Sequence, residues 1–305
     1  MVAERNDWYQ LEVRHQEPMS RHTSWRLGGQ ADVYFRPSTR EHLLEFMREL
    51  GPAADIVWIG LGSNLLVRDG GIRGVVISVQ DALSEIRDLG DGLIEAGAGV
   101  PCATLARYCV KLQLGPAEFF AGIPGTVGGA LAMNAGAFGG ETWAHVAEVD
   151  LVTRSGEVLT RTADEFEVGY REVGRRDDEW FLAARFRLQQ DPETSMTRVR
   201  ELIKERKESQ PLGLPSCGSV FRNPDGDYAA RLIEASGLKG KRIGGAEVSP
   251  KHANFIINTG DATAADVEAL IKHVQATVQE QHGVVLKKEV HVVGEALSDE
   301  EHADG

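Results

Sequence analysis

Residues 119–140 read FFAGIPGTVGGALAMNAGAFGG, twenty-two positions without a formal charge. Seven are glycine: Gly122, Gly125, Gly128, Gly129, Gly136, Gly139 and Gly140. A run this long could span a bilayer if it were helical. Its glycines, Pro124 and Asn134 argue against that, and the flanking residues are Glu118 and Glu141 rather than lysine or arginine. Glycine carries an entropic cost wherever it is ordered, so a cluster needs a reason. Backbone without Cβ atoms comes close to a ligand, and successive N–H groups in such turns form an anion-binding concavity without lysine. A large anionic cofactor lying along the backbone accounts for the composition; a tightly packed loop is the plainer alternative.

A second glycine loop, GLGSNLLVRDGG, occupies residues 60–71. Neither G-x-x-x-x-G-K-[ST] nor G-x-G-x-x-G after a strand is present, and GLGSNL fails the latter at its sixth position. Two separate glycine loops are therefore expected to clasp the cofactor. The net charge of −13 argues against broad nucleic-acid binding. Three cysteines make no disulfide framework; Cys102 and Cys109 lack a third ligand at a zinc spacing and read as buried thiols, and no metal site is expected. The opening MVAERNDWYQ has no leader-like apolar stretch, so a cytoplasmic protein without membrane insertion is expected.

Around these loops, residues 32–37 read as a strand. A helix capped by Ser38 or Thr39 follows, buries Leu43, Phe46, Met47 and Leu50, and stops at Gly51-Pro52. Residues 55–60, 74–79, 93–99 and 180–188 read as strands, 103–114 as a helix and 146–160 as a hairpin turning at Ser155-Gly156. A charged helix at 198–208 precedes a Pro/Gly loop, which puts a domain boundary near 190–200. Beyond it, Asp227 is expected to cap a helix to Ala235, residues 253–258 to form a strand, and 263–282 an amphipathic helix ended by Gly283. Residues 284–294 alternate as a long strand, with Val284, Leu286, Val290 and Val292 on one face and Lys287, Glu289 and His291 on the other. The last residues, 295–305, read as a polar tail.

Seven segments, in order, resemble the UDP-N-acetylenolpyruvoylglucosamine reductase family. They are TSWRLGGQAD at 23–32, GLGSNLLVRDGGIRGVVI at 60–77, AGIPGTVGGALAMNAGAFGGE at 121–141, GYR at 169–171, PSCGSVFRNP at 215–224, VSPKHANFIIN at 248–258 and KKEVHVVG at 287–294. No long insertion separates GYR from the serine motif, which is similar to the family's shorter subtype. The resemblance implies an α+β protein. Residues 20–190 would form an FAD-binding half of the vanillyl-alcohol-oxidase (PCMH-type) class, made of two α/β subdomains split near residue 80. Residues 198–294 would form a smaller C-terminal α+β substrate domain.

It also implies noncovalent FAD, with NADPH as hydride donor and UDP-N-acetylglucosamine enolpyruvate as the substrate reduced, in a probable monomer of the cytoplasm. Gly60, Gly62, Ser63 and Asn64 would touch the flavin cofactor from the first loop, and Gly122, Gly125, Thr126, Gly128, Gly129 and Asn134 from the second. Reduction of an enolpyruvyl ether builds negative charge on the α-carbon, which must be stabilised and then protonated. The family pattern assigns the first task to Arg171, whose planar fork suits a carboxylate. It assigns the second to Ser219, with Glu289 assisting. Tyr170, Arg206 and Asn223 match substrate-binding positions. Phe138 stands where the family commonly has tyrosine, Cys217 where it often has alanine, and Glu172-Val173 where a serine-containing stretch is usual. An FAD-linked oxidase of the same fold and a non-catalytic flavin or UDP-sugar binder are the competing readings. No histidine lies in the glycine loops for covalent attachment, and Arg171, Ser219 and Glu289 are all present.

Overall fold

The computed structural model describes residues 12–51 and 53–297. The expected leader-free start at 1–10, the Pro52 helix stop and all but the first residues of the polar tail lie outside the described residues. The chain forms two compact units that interleave along the sequence. One comprises residues up to Arg14, Val33–Leu61 and Gly74–Glu205; the other comprises His15–Asp32, Gly62–Arg73 and everything from Arg206 onward. The chain therefore passes between units after Arg14, Asp32, Leu61, Arg73 and Glu205, not at a single cut.

The first unit is built on a five-stranded antiparallel sheet in the order Val158–Thr162, Val146–Thr153, Glu179–Arg187, Leu93–Gly97, Ile86–Asp88. Glu179–Arg187 is central, and its run EWFLAARFR is buried on both faces up to Ala184. Helix α1, Arg40–Glu49, starts at Thr39, whose hydroxyl accepts from His42 N, and turns Leu43, Phe46 and Met47 inward. Helix α2, Cys102–Lys111, buries Cys102, Leu105, Ala106, Cys109 and Val110. Strand Ile56–Ile59 runs parallel to strand Ile72–Ser78, with Ile56 opposite Val75 and Ile59 opposite Ser78. The glycine-rich stretch is not one loop. It folds into a 3-10 turn at Glu118–Gly122, a short helix α3 at Val127–Ala132 and a tight ribbon pairing Ala137 with Gly140. Helix α4 is Met196–Ser209.

The second unit holds a three-stranded antiparallel sheet, Arg242–Ile243, Ala246–Val248 and Ile256–Asn258. Helices α5, Ala229–Ala235, and α6, Ala264–His282, complete it. Segments from early in the chain belong here for physical reasons. Trp25 is fully buried and donates its indole N–H to Ile256 O at 2.7 Å, while Asn258 Nδ2 donates to Trp25 O at 2.9 Å. Leu65–Val67 pairs in parallel with His291–Val293. The Arg68-Asp69 dipeptide of the first glycine loop is fastened to α6. Arg68 holds Glu268 through two bonds of 2.9 and 3.1 Å, and the Asp69 carboxylate accepts from Ala264 N and Ala265 N at 2.8 and 2.9 Å, where the helix dipole favours it.

Three local expectations are corrected. Helix α5 is capped by Tyr228, not Asp227; the Asp227 carboxylate accepts from Tyr228 N and pairs with Arg231, which pulls its pKa down to about 2. The strand expected at 253–258 is confined to Ile256–Asn258, because the chain turns just before it, Phe255 N donating to His252 O at 3.0 Å. The long strand expected at 284–294 shortens to His291–Val293. Leu286 and Val290 are buried as the alternation requires, but the backbone at 287–289 bonds the segment around Phe221 instead of extending a ladder.

Candidate functional site

In the first unit a cavity of about 100 Å³ is lined by Trp58, Gly60, Ala98, Thr126, Gly128, Gly129 and Trp180, among others. Four expected cofactor residues meet there. A Cβ on Gly60 would strike Thr126 Oγ1 at 2.5 Å, so only glycine lets these two loops close up. At Gly129 an added Cβ would meet nothing nearer than Thr126 Oγ1 at 3.8 Å, which leaves that backbone approachable. Thr126 caps α3, its hydroxyl accepting from Gly129 N at 3.4 Å. Gly125 carries its carbonyl to Cys102 N at 2.9 Å, and among the described residues the backbone bonds use neither its N–H nor that of Thr126. Arg175 also lines this cavity and was missed by sequence reading; its segment has no spacing that sets it apart.

Gly122 behaves differently from expectation. Its missing side chain makes room for Ala137 Cβ and Phe138 Cε2, both 2.5 Å from where a Cβ would sit, so packing explains it. Asn134 is likewise engaged by protein. Its amide bonds Glu141, Gly169 O and Trp143 N, and its backbone carbonyl accepts from Arg171.

Tyr170 and Arg171 form the turn of a hairpin between Glu167–Gly169 and Glu172–Gly174. Arg171 takes φ +58, uncommon for a side-chain-bearing residue and a frequent mark of functional turns. Its guanidinium donates to Asn134 O at 3.1 Å and Gly136 O at 3.3 Å and lies 5.2 Å from the Tyr170 ring centroid. Tyr170 itself is exposed.

In the second unit, Gly62 takes φ +61, and a Cβ there would collide with His22 O. The N–H groups of Gly62, Ser63 and Asn64 are used by none of the backbone bonds among the described residues. Three consecutive N–H groups in such a turn make a nest for an anion. This donor set fits an anionic group such as a phosphate. Asn64 Nδ2 donates to Glu289 O at 3.0 Å, so the same loop reaches the Glu289 segment.

Ser219 and Glu289 are brought together through the backbone. Glu289 N donates to Val220 O at 2.8 Å, and Arg222 N to Lys287 O at 2.9 Å. Gly218, at φ +70, turns the chain into Ser219. Buried Asn254 clamps the next residue, its Oδ1 accepting from Phe221 N at 3.0 Å and its Nδ2 donating to Phe221 O at 2.8 Å. Asn254 was missed; it lies in a recognised segment, but nothing in its spacing reveals the clamp. Asn223 is exposed, and its Oδ1 accepts from Ala229 N at 3.1 Å. Arg206 donates to Gln210 Oε1 at 2.6 Å. A cationic neighbourhood was also missed: His252 has its pKa lowered by burial first, then by Lys239 and Arg206. Burial pushes the Cys217 thiol up to about 12, so it is no nucleophile at neutral pH. Among the described residues no His/Cys/Asp/Glu cluster could hold a metal ion.

Comparison with known proteins accords with this layout. Residues 31–162 match an FAD binding domain, and residues 210–293 match the C-terminal domain of UDP-N-acetylenolpyruvoylglucosamine reductase. The reductase of that name from Alkalilimnicola ehrlichii is 56% identical over 94% of this chain and 96% of that protein. Its counterpart from Methylococcus capsulatus is 53% identical over 92% of each. The crystal structure of the Thermus caldophilus reductase superposes with a TM-score of 0.79 at 33% identity, covering 93% of this chain and 98% of that one. Residues 31–162 thus carry an FAD-binding fold in a chain of mixed helices and strands, followed by the reductase family's C-terminal domain. Agreement at this identity, along almost the whole of both chains, places the protein in the UDP-N-acetylenolpyruvoylglucosamine reductase family.

Proposed function

We propose that this protein is the NADPH-dependent flavoenzyme that reduces UDP-N-acetylglucosamine enolpyruvate to UDP-N-acetylmuramate, a step in making peptidoglycan precursors. FAD, when bound, would supply the redox chemistry that links NADPH oxidation to reduction of the enolpyruvyl ether. The unused N–H groups at residues 62–64 would make one anion nest and those at residues 125–126 another, and the backbone at Gly129 is open to approach. The protein's own task is the charge left on the α-carbon. Arg171 binds the carboxylate into which that charge spreads, and it does so from a turn already fastened by two carbonyls. Ser219 gives its hydroxyl proton to the α-carbon. Glu289, bonded to the adjoining Val220, orients the hydroxyl and returns a proton to it. Arg206 supplies positive charge for the substrate's diphosphate. Tyr170, which adjoins Arg171 in sequence, and Asn223, four residues beyond Ser219, are exposed and complete the substrate contacts.

The observation that supports the reading is the Glu289 N–H to Val220 O bond of 2.8 Å, which joins the backbone of the Glu289 segment to that of the serine loop. We place the enzyme in the cytoplasm as a monomer; among the described residues no helix is long and apolar enough to cross a membrane. The test is anaerobic. NADPH should bleach the yellow protein, and the enolpyruvyl substrate should restore its colour. Colour restored by O₂ but not by that substrate would favour an oxidase, and no bleaching at all would favour a binder.

A further inference from the structure

Asn134 lies beneath the Arg171 turn with 3% of its surface exposed and φ +39, a left-handed conformation that asparagine tolerates. Its side chain and its backbone grip the same turn at two points. The amide nitrogen donates to Gly169 O at 3.2 Å and to Glu141 Oε2 at 3.2 Å. The amide oxygen accepts from Trp143 N at 3.1 Å, and the backbone carbonyl takes Arg171 Nη1 at 3.1 Å. Gly136, two residues on, takes Nη2 at 3.3 Å. An asparagine amide has two donors, and both are used here inside the protein, so none is left for a cofactor. The backbone of the turn and the head of its arginine are thereby fixed relative to one residue.

We propose that Asn134 is a positioning residue for Arg171, setting the direction from which the guanidinium meets the substrate carboxylate. The proposal rests on the role given to Arg171 above. Glu141 is the outer support: its carboxylate holds the second amide hydrogen and keeps the other aimed at Gly169. A guanidinium displaced by an ångström loses much of its effect on a developing charge, and misplacement on that scale costs up to about 10²-fold in rate.

Asn134→Gly tests this in the FAD-loaded enzyme, because glycine keeps the left-handed backbone and the carbonyl while deleting the amide. Flavin reduction by NADPH should stay within about twofold of the parent rate, while reoxidation by the enolpyruvyl substrate slows by about 10- to 10²-fold. The loss should fall on kcat more than on KM. In an Arg171→Ala background the same substitution should add nothing, the signature of two groups acting as a unit. Equal slowing of both half-reactions would assign Asn134 to the cofactor and overturn the proposal. Additive slowing in the double variant, or normal reoxidation by Asn134→Gly, would also overturn it. Normal reoxidation by Arg171→Ala would defeat the role of Arg171 itself, and the proposal with it. A slow Arg171→Ala beside a normal Asn134→Gly would defeat the proposal alone. If Asn134→Gly fails to fold, Glu141→Ala at an exposed position decides. Reoxidation slowed by about threefold, with no further loss in the Arg171→Ala background, upholds the proposal; unchanged reoxidation overturns it.

Discussion

The loop that carries Arg171 is fastened through its side chain, whereas the loop that carries Ser219 is fastened through its backbone. Each depends on a buried asparagine. Asn134 takes the Arg171 guanidinium on its own carbonyl, so the functional head group is held before any ligand arrives. Asn254 instead pairs with the N–H and C=O of Phe221, and Glu289 N bonds Val220 O; none of these bonds engages the Ser219 hydroxyl. The difference matches the two tasks proposed for Arg171 and Ser219. A charge stabiliser works best when pre-oriented, since no reorganisation is then needed during reaction. A proton donor has to turn towards a carbon and back to its proton source, and a clamped hydroxyl could not do so.

The comparison breaks most visibly at Ser219. Ser219→Ala should leave bleaching by NADPH near normal, because no carbon is protonated in that half-reaction. Reoxidation by the enolpyruvyl substrate should slow by about 10²–10⁴-fold. Stopped-flow absorbance reads both halves, and equal slowing of the two would mean that Ser219 supports folding or flavin binding. Next comes Arg171→Lys. Lysine keeps the charge but loses the planar grip, and kcat should fall by about 10²–10³-fold. Turnover close to the parent's would mean that pre-orientation at this turn is unimportant.

Asn254→Ala should act on stability before chemistry. It leaves the buried Phe221 N–H and C=O without partners and should cost about 2 kcal/mol or more, seen as a lower urea midpoint. An unchanged midpoint would show that the serine loop holds itself. The smallest effect is expected at Cys217. Burial raises its pKa to about 12, above the unfolded thiol value near 8.5, so the buried neutral thiol favours folding below about pH 8.5 and that contribution fades as pH climbs towards 12. At pH 8 the native thiol should resist iodoacetamide, and Cys217→Ala should leave both half-reactions intact. Rapid alkylation with loss of activity would make Cys217 part of the serine loop's chemistry.

Much of this was legible in the order of the motifs. Helices α1, α2 and α6 follow from apolar spacing and from end signals such as Thr39 and Gly283, and Arg171, Ser219 and Glu289 are proposed from their segments. What stayed hidden shares one physical cause: it depends on partners distant in sequence. Nothing near Asn134 announces that its amide meets Gly169, or near Asn254 that it meets Phe221. Glycine content was only a partial guide. It marked close approach correctly, but at Gly122 the approaching atoms belong to Ala137 and Phe138, while at residues 62–64 unused N–H groups fit a ligand. Alternating apolar residues at 284–294 fixed which side chains are buried without fixing which backbone they bond.

The interleaving of the chain also limits how the protein can be cut or recombined. A fragment starting at Arg206 would carry α5, α6 and the three-stranded sheet. It would lack Trp25, which fills the core beside Ile256, and Leu65–Val67, the strand on which His291–Val293 pairs. Grafting such a piece from a relative would therefore require three stretches of sequence to be exchanged together, at 15–32, 62–73 and from 206 on. A swap at one junction would pair each half with the wrong tryptophan pocket and the wrong strand partner. Homologous exchange between family members should consequently yield soluble chimaeras only when all three stretches share a parent.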